Sequence, residues 1–275
     1  MTRKMVLVDT SICTGCKACS VACKGWNELA AERTHLVTSY QSQKDFTTKT
    51  WTYMTFIEKY ENQKMHWLIR KAQCFHCAEP GCMKGCTSNA ISKTDYGFVV
   101  IDHDKCIGCG YCVANCPFGV PKIDDVKKKS FKCTGCPERV ENNMSPACVY
   151  TCQPGALEYG DRDALLTKAK NRLAVVQKTY PRAQLYGETE MGGTTFFYLL
   201  LDSPEVYGLP INPTIALSLI LWKDVIRPIG GFAIGGAAAA VFVGVLANLF
   251  KGSYRSSKDN DENPRQTEQN AKEER

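Results

Sequence analysis

Hydrophobic and polar positions alternate over residues 50–60, TWTYMTFIEKY, and again over 65–71, MHWLIRK, with a polar turn from Glu61 to Lys64 between them. Such alternation of β-branched and aromatic residues around a turn predicts a β-hairpin. A shorter pair surrounds Gly97: Asn89-Ala90-Ile91-Ser92-Lys93, the turn Asp95-Tyr96-Gly97, then Phe98-Val99-Val100-Ile101-Asp102. Met5-Val6-Leu7-Val8-Asp9 resembles the second arm of that hairpin, and Pro154 to Gly160, PGALEYG, resembles its first arm. Asp161 or Asp163 can then cap a helix whose Leu165, Ala169 and Leu173 fall at i, i+4 and i+8 and form one apolar stripe. The pattern changes again from Pro228 to Phe250, 23 residues without a charge. A bilayer-spanning helix needs about 20. Arg227 and Lys251 bracket the segment, and Trp222 and Tyr254 fit interfacial positions. A buried soluble helix is the other reading; the length, the charged brackets and the polar tail favour one transmembrane helix over 227–251.

The chain has 275 residues, 44% of them hydrophobic and 23% charged, which excludes wholesale disorder. A net charge of +6 is too small to argue for nucleic acid. The 16 cysteines are the unusual number, and disulfides, zinc and iron–sulfur ligation compete for them. The opening MTRKMVLVDTSIC has no apolar h-region and no twin arginine, so no export signal of its own is expected. Thiols of a chain folding in the cytosol stay reduced, which argues against a disulfide framework.

The cysteines form four runs: Cys13, Cys16, Cys19, Cys23; Cys74, Cys77, Cys82, Cys86; Cys106, Cys109, Cys112, Cys116; and Cys133, Cys136, Cys148, Cys152. The third, followed by Pro117, matches the bacterial ferredoxin pattern C-x2-C-x2-C-x3-C-P; the first matches it with Lys24 in place of the proline. Zinc sites rarely use three cysteines at such spacing. His35, His66, His76 and His103 complete no Cys2His2 pattern. In the ferredoxin pattern the first three cysteines of a run wrap one cluster and the fourth ligates its neighbour.

The hairpin between runs two and three makes them one two-cluster module, with clusters on Cys74, Cys77, Cys82, Cys116 and on Cys86, Cys106, Cys109, Cys112. The matching flanks of runs one and four make a second module, split by insertion of the first. Its clusters fall on Cys13, Cys16, Cys19, Cys152 and on Cys23, Cys133, Cys136, Cys148. The expected fold is thus α+β: two interleaved bacterial-ferredoxin-like modules holding four [4Fe-4S] clusters, plus one C-terminal transmembrane helix. The outer module covers 1–33 and 125–185, a β-hairpin insertion 34–73, the inner module 74–124, a connector 186–226, and a polar tail 252–275. His66 and His76 could donate hydrogen bonds to clusters, with a structural role the default. Lys127 to Lys129 read as a solvated loop, with a docking patch the alternative.

The span contains no Asp, Glu, Lys, Arg or His, and no histidine follows His103. The helix can therefore supply neither a haem ligand nor a proton relay; it reads as an anchor. Gly231 and Gly235 form a G-x-x-x-G step that permits close helix contact. Two basic residues, Lys223 and Arg227, lie in the twenty positions before Pro228. Four, Lys251, Arg255, Lys258 and Arg265, lie in the twenty after Phe250. The positive-inside rule then puts the tail in the cytoplasm and the cluster domain on the outer, periplasmic face.

The four runs, their insertion order and the single C-terminal helix resemble the iron–sulfur β subunit of membrane-bound formate dehydrogenase. The resemblance continues through Gly192-Gly193-Thr194-Thr195 to Tyr198, Tyr207-Gly208-Leu209-Pro210 and Leu221-Trp222-Lys223. It implies a large molybdenum or tungsten pterin subunit that oxidises formate and a membrane cytochrome b-type subunit that passes electrons to quinone. It implies an inner-membrane location, this chain carrying electrons between those partners. The four-cluster core is also shared with subunits of nickel–iron hydrogenases and other molybdoenzymes, which remain the alternative. No acid–base pair, nucleophile elbow or phosphate loop is present, so no catalytic residue is expected. Zinc-bound adaptors form the remaining class.

Overall fold

The computed structural model describes residues 4–38 and 40–215. Ten strands occur there: β1 (Lys4–Asp9), β2 (Tyr53–Glu61), β3 (Lys64–Ala72), β4 (Ile91–Lys93), β5 (Val99–Ile101), β6 (Lys122–Asp124), β7 (Lys129–Phe131), β8 (Leu157–Asp161), β9 (Gln184–Tyr186) and β10 (Phe196–Leu200). Six α-helices join them: α1 (Ala18–Trp26), α2 (Gly81–Lys84), α3 (Tyr111–Ala114), α4 (Pro137–Glu141), α5 (Ala147–Tyr150) and α6 (Arg162–Val176). The fold is mixed α/β.

The core is a four-stranded sheet in the order β8-β1-β10-β9. β1 pairs antiparallel with β8, Met5 opposite Gly160, so the segments flanking cysteine runs one and four lie side by side. On its other edge β1 runs parallel to β10, Val6 opposite Phe196. Both strands read as continuous apolar runs because both faces are covered: Met5, Val6 and every residue of β10 are 0% exposed. Helix α6 packs on β1, β8 and β9, burying Leu165, Ala169 and Val176, with Leu173 half-buried. Asp161 stands at its N-cap without a capping bond and instead accepts from Lys4 Nζ at 2.8 Å.

Three two-stranded ribbons complete the strand set. β2 and β3 pair from Tyr53–Ala72 to Glu61–Lys64, and Asn62 and Gln63, both at positive φ, make the two-residue turn. β4 and β5 pair around Gly97. β6 and β7 pair Lys122 with Phe131, which corrects the reading of Lys127 to Lys129 as loop. Lys127 and Lys128 lie in the turn, but Lys129 belongs to β7 and its Nζ donates to Cys106 O at 2.6 Å. Within the stretch 186–226, β10 is built into the core sheet beside β1.

Among the described residues no helix is long and apolar enough to cross a membrane. The expected span 227–251 and tail 252–275 lie outside the described residues.

Candidate metal centres

The four cysteine runs share a backbone shape. The residue just before the second cysteine is left-handed in all four: Gly15 (φ 68°), His76 (φ 49°), Gly108 (φ 67°) and Gly135 (φ 81°). Glycine takes this conformation without steric cost, and histidine takes it more readily than most residues. Glycine is further needed at Gly135, where a Cβ would stand 2.8 Å from Phe98 Cε1 and closer still to Cδ1 and Cγ. The third cysteine is the second residue of a helix each time: Cys19 in α1, Cys82 in α2, Cys112 in α3 and Cys148 in α5. Left-handed turns follow three of the fourth cysteines, at Asn89, Gly119 and Gly155. After run one, α1 continues instead through Cys23 to Trp26.

Cysteines from different runs come together. Cys13, Cys16, Cys19 and Cys152 line one cavity, although Cys152 is far off in sequence. Cys86, Cys106, Cys109 and Cys112 line another. Cys23 lies in the field of Cys133, Cys148 and Cys136. Cys77 lies in that of Cys74, Cys116 and Cys82. The groups also neighbour one another in a definite order: Cys19 feels Cys148, Cys133 feels Cys74, and Cys82 feels Cys112. The cysteines in the two end groups include the exposed Cys16 and Cys109. Among the described residues no three His, Cys, Asp or Glu side chains converge as they would on a single ion.

Burial pushes the Cys19 thiol up to about 11 and those of Cys82 and Cys136 up to about 12, and neighbouring thiols add to the effect. Thiolates in such places need a bound cation, because ligand deprotonation and metal binding are coupled. The surroundings suit sulfur that carries negative charge. Ala90 N–H donates to Cys86 Sγ at 3.2 Å and Ser130 N–H to Cys106 Sγ at 3.4 Å. Cys116 receives backbone N–H groups of Val120, Phe118 and Gly119.

His76, between Cys74 and Cys77, is fully buried. Its Nδ1 accepts from Val99 N–H at 2.8 Å, so the neutral ring carries its proton on Nε2. That Nε2 is buried without a protein partner, a spare donor beside the cysteine loop. Burial, then the charges of Lys132 and Lys71, hold this imidazole well below its usual range. His66 packs edge-on against Tyr180, 6.4 Å away. Sulfur-rich clusters fit this chemistry: two cavities each lined by four thiols, N–H groups aimed at sulfur and an orphaned donor.

Two residues escaped the sequence reading. Lys71 in β3 is 2% exposed and lines the cavity of Cys13, Cys16, Cys19 and Cys152. Lys132, just after β7, is 4% exposed, and its Nζ donates to Val99 O and, at 3.0 Å, to Cys133 O. Burial alone would lower the Lys71 pKa; Cys148, Cys19 and Cys133 outweigh it and hold the ammonium above its ordinary value. A buried lysine cannot be told from a surface one by residue type. Alternation gave no signal either, because Lys71 shares a face of β3 with the exposed Met65 and Trp67.

A family profile described as a 4Fe-4S dicluster domain matches residues 65–162. The formate dehydrogenase iron-sulfur subunit of Haemophilus influenzae is 44% identical over 240 residues, 85% of this chain and 77% of that one. The nitrate-inducible formate dehydrogenase iron-sulfur subunit of Escherichia coli is 42% identical over 248 residues, 88% of this chain and 82% of that one. The protein belongs to the formate dehydrogenase iron–sulfur subunit family. One polypeptide of the anaerobic dimethyl sulfoxide reductase of Escherichia coli is also similar, 37% identical over 176 residues, 64% of this chain and 81% of that one. More than the matched dicluster domain is needed to complete the cysteine groups. The profile leaves out Cys13, Cys16 and Cys19, which share their cavity with Cys152 inside it.

Proposed function

We propose that this chain is the electron-transfer subunit of a formate dehydrogenase complex. The observation that carries the reading is the row of four cysteine groups, each bordering the next, in a member of the formate dehydrogenase iron–sulfur family. The first group is Cys13, Cys16, Cys19 and Cys152, and the second is Cys23, Cys133, Cys136 and Cys148. Cys74, Cys77, Cys82 and Cys116 form the third, and Cys86, Cys106, Cys109 and Cys112 the fourth. Each group would hold one [4Fe-4S] cluster, and two interleaved ferredoxin-like modules supply the ligands. When bound, the clusters supply one-electron redox chemistry. The polypeptide ligates them, buries seven of the eight inner cysteines and leaves Cys16 and Cys109 exposed at the ends.

The partners follow from the same reading. A large molybdenum or tungsten pterin subunit supplies electrons from formate, and a membrane cytochrome b-type subunit removes them. Pro228 to Phe250 anchors the chain in the inner membrane, with the cluster domain periplasmic and the tail cytoplasmic. The similarity to a dimethyl sulfoxide reductase polypeptide supports a second reading, service to another molybdoenzyme. It covers 64% of this chain, against 85% and 88% for the formate dehydrogenase subunits, which favours formate.

Anaerobic purification of the intact complex decides between them. The expected large subunit contains a pterin-bound metal, and formate reduces the iron–sulfur signals. A large subunit that answers to hydrogen or a sulfoxide and ignores formate would replace this reading.

A further inference from the structure

Lys71 and Lys132 are both buried, and among the described residues neither pairs with a carboxylate. Their positions in the row are specific. Lys71 lines the first cavity, and its charge acts on Cys19 of the first group and on Cys148 and Cys133 of the second. Lys132 holds the Cys133 carbonyl, and its charge acts on Cys133 of the second group and on Cys74, Cys82 and Cys116 of the third. The second group alone is served by both. On the Cys112 side of the third group Ser130 Oγ stands 3.2 Å from Cys112 Sγ, and the lysine on that side, Lys129, which bonds the Cys106 carbonyl, is only part-buried.

Reduction adds negative charge to a cluster, and a fixed positive charge nearby favours the reduced form, strongly where water is excluded. We propose that Lys71 and Lys132 set the redox profile of the row, raising the potential of the cluster on Cys23, Cys133, Cys136 and Cys148 above those of both its neighbours. This rests on the four-cluster reading. The two ammonium groups make the second position a resting place for an electron inside the row.

The test is an EPR-monitored redox titration of the intact complex, with the second cluster's signal assigned as the one altered by Cys136→Ser. In the unsubstituted complex that signal develops at a higher potential than those of the first and third clusters. Lys71→Met lowers the reduction equilibrium constant of the first and second clusters about tenfold, about 59 mV for one electron. Lys132→Met does the same to the second and third. The fourth moves in neither, and Lys71→Arg and Lys132→Arg restore the original midpoints. A general structural disturbance would shift all four alike and survive restoration of charge. Midpoints unmoved by both Met variants overturn the inference while leaving the four-cluster reading intact. So does a second cluster that lies below a neighbour in the unsubstituted complex, a result that needs no variant to fold. Absence of cluster signals from the unsubstituted complex removes the four-cluster reading itself, and this inference with it.

Discussion

Gly135→Ala places a methyl group where the structure has no room, and Gly110→Ala provides its control. Both glycines lie between cysteines of a run, and both have φ 81°. Left-handed backbone costs an alanine about 1–2 kcal/mol at either site. The loss of unfolded-state freedom, about 0.4–1 kcal/mol in favour of alanine, is also common to both. They differ in space. A Cβ at Gly110 meets nothing within 4 Å, whereas one at Gly135 overlaps the ring of Phe98. Phe98 is 0% exposed and is held edge-on by His76, ring centroids 5.2 Å apart. It cannot swing away, so overpacking adds about 1–3 kcal/mol at Gly135 alone. At about 2–4 °C per kcal/mol for a domain of this size, Gly135→Ala should unfold roughly 2–12 °C below Gly110→Ala. The assay is loss of visible absorbance on anaerobic heating, with EPR to show that the signal altered by Cys136→Ser is the one disturbed. Equal midpoints for the two variants would refute the argument that Phe98 fixes the Cys133–Cys136 loop.

Cys116→Ser should damage the cluster of Cys74, Cys77 and Cys82, and Cys152→Ser that of Cys13, Cys16 and Cys19. EPR of each variant that showed damage confined to the mutated run's own first three cysteines would reverse the pairing. Asp202 accepts from Lys59 Nζ at 2.7 Å and Arg182 Nε at 2.8 Å; burial acts to raise its pKa, but these bonds outweigh it and leave it at about 2. Its folded value lies below the unfolded one, so its contribution is present above about pH 4 and is lost as the pH falls toward 2. Asp202→Asn should cost about 1–2 kcal/mol at pH 7, after discounting for the half-exposed Arg182, and flatten that acid-side decline; an unchanged thermal midpoint would contradict the ion-pair account. Protease added to spheroplasts should cut the cluster domain and spare a C-terminal tag, and the opposite pattern would place the domain in the cytoplasm.

Much of this was legible from the order of residues. Alternation showed the β2–β3 ribbon because one side of Tyr60, Met65 and Trp67 stays exposed. Gly97 marked the β4–β5 turn. FFYLL of β10 carried no alternation to read, because it is buried on both faces and its partner β1 lies at the far end of the described sequence. The β6–β7 ribbon was hidden by its lysines: Lys129 bonds the Cys106 carbonyl, outside the ribbon, and Lys132, just past β7, turns inward. Cysteine spacing announced the loops, since left-handed glycines recur at fixed offsets. Spacing could not announce Lys71 and Lys132, whose importance lies in which groups they stand between.

Iron and sulfide, rather than zinc or disulfide partners, are what the sixteen thiols are expected to bind. The most direct test is metal and acid-labile sulfide analysis of the protein purified anaerobically. Four cubane clusters predict about sixteen iron and about sixteen sulfide per polypeptide. Stoichiometric zinc with little iron would contradict the account.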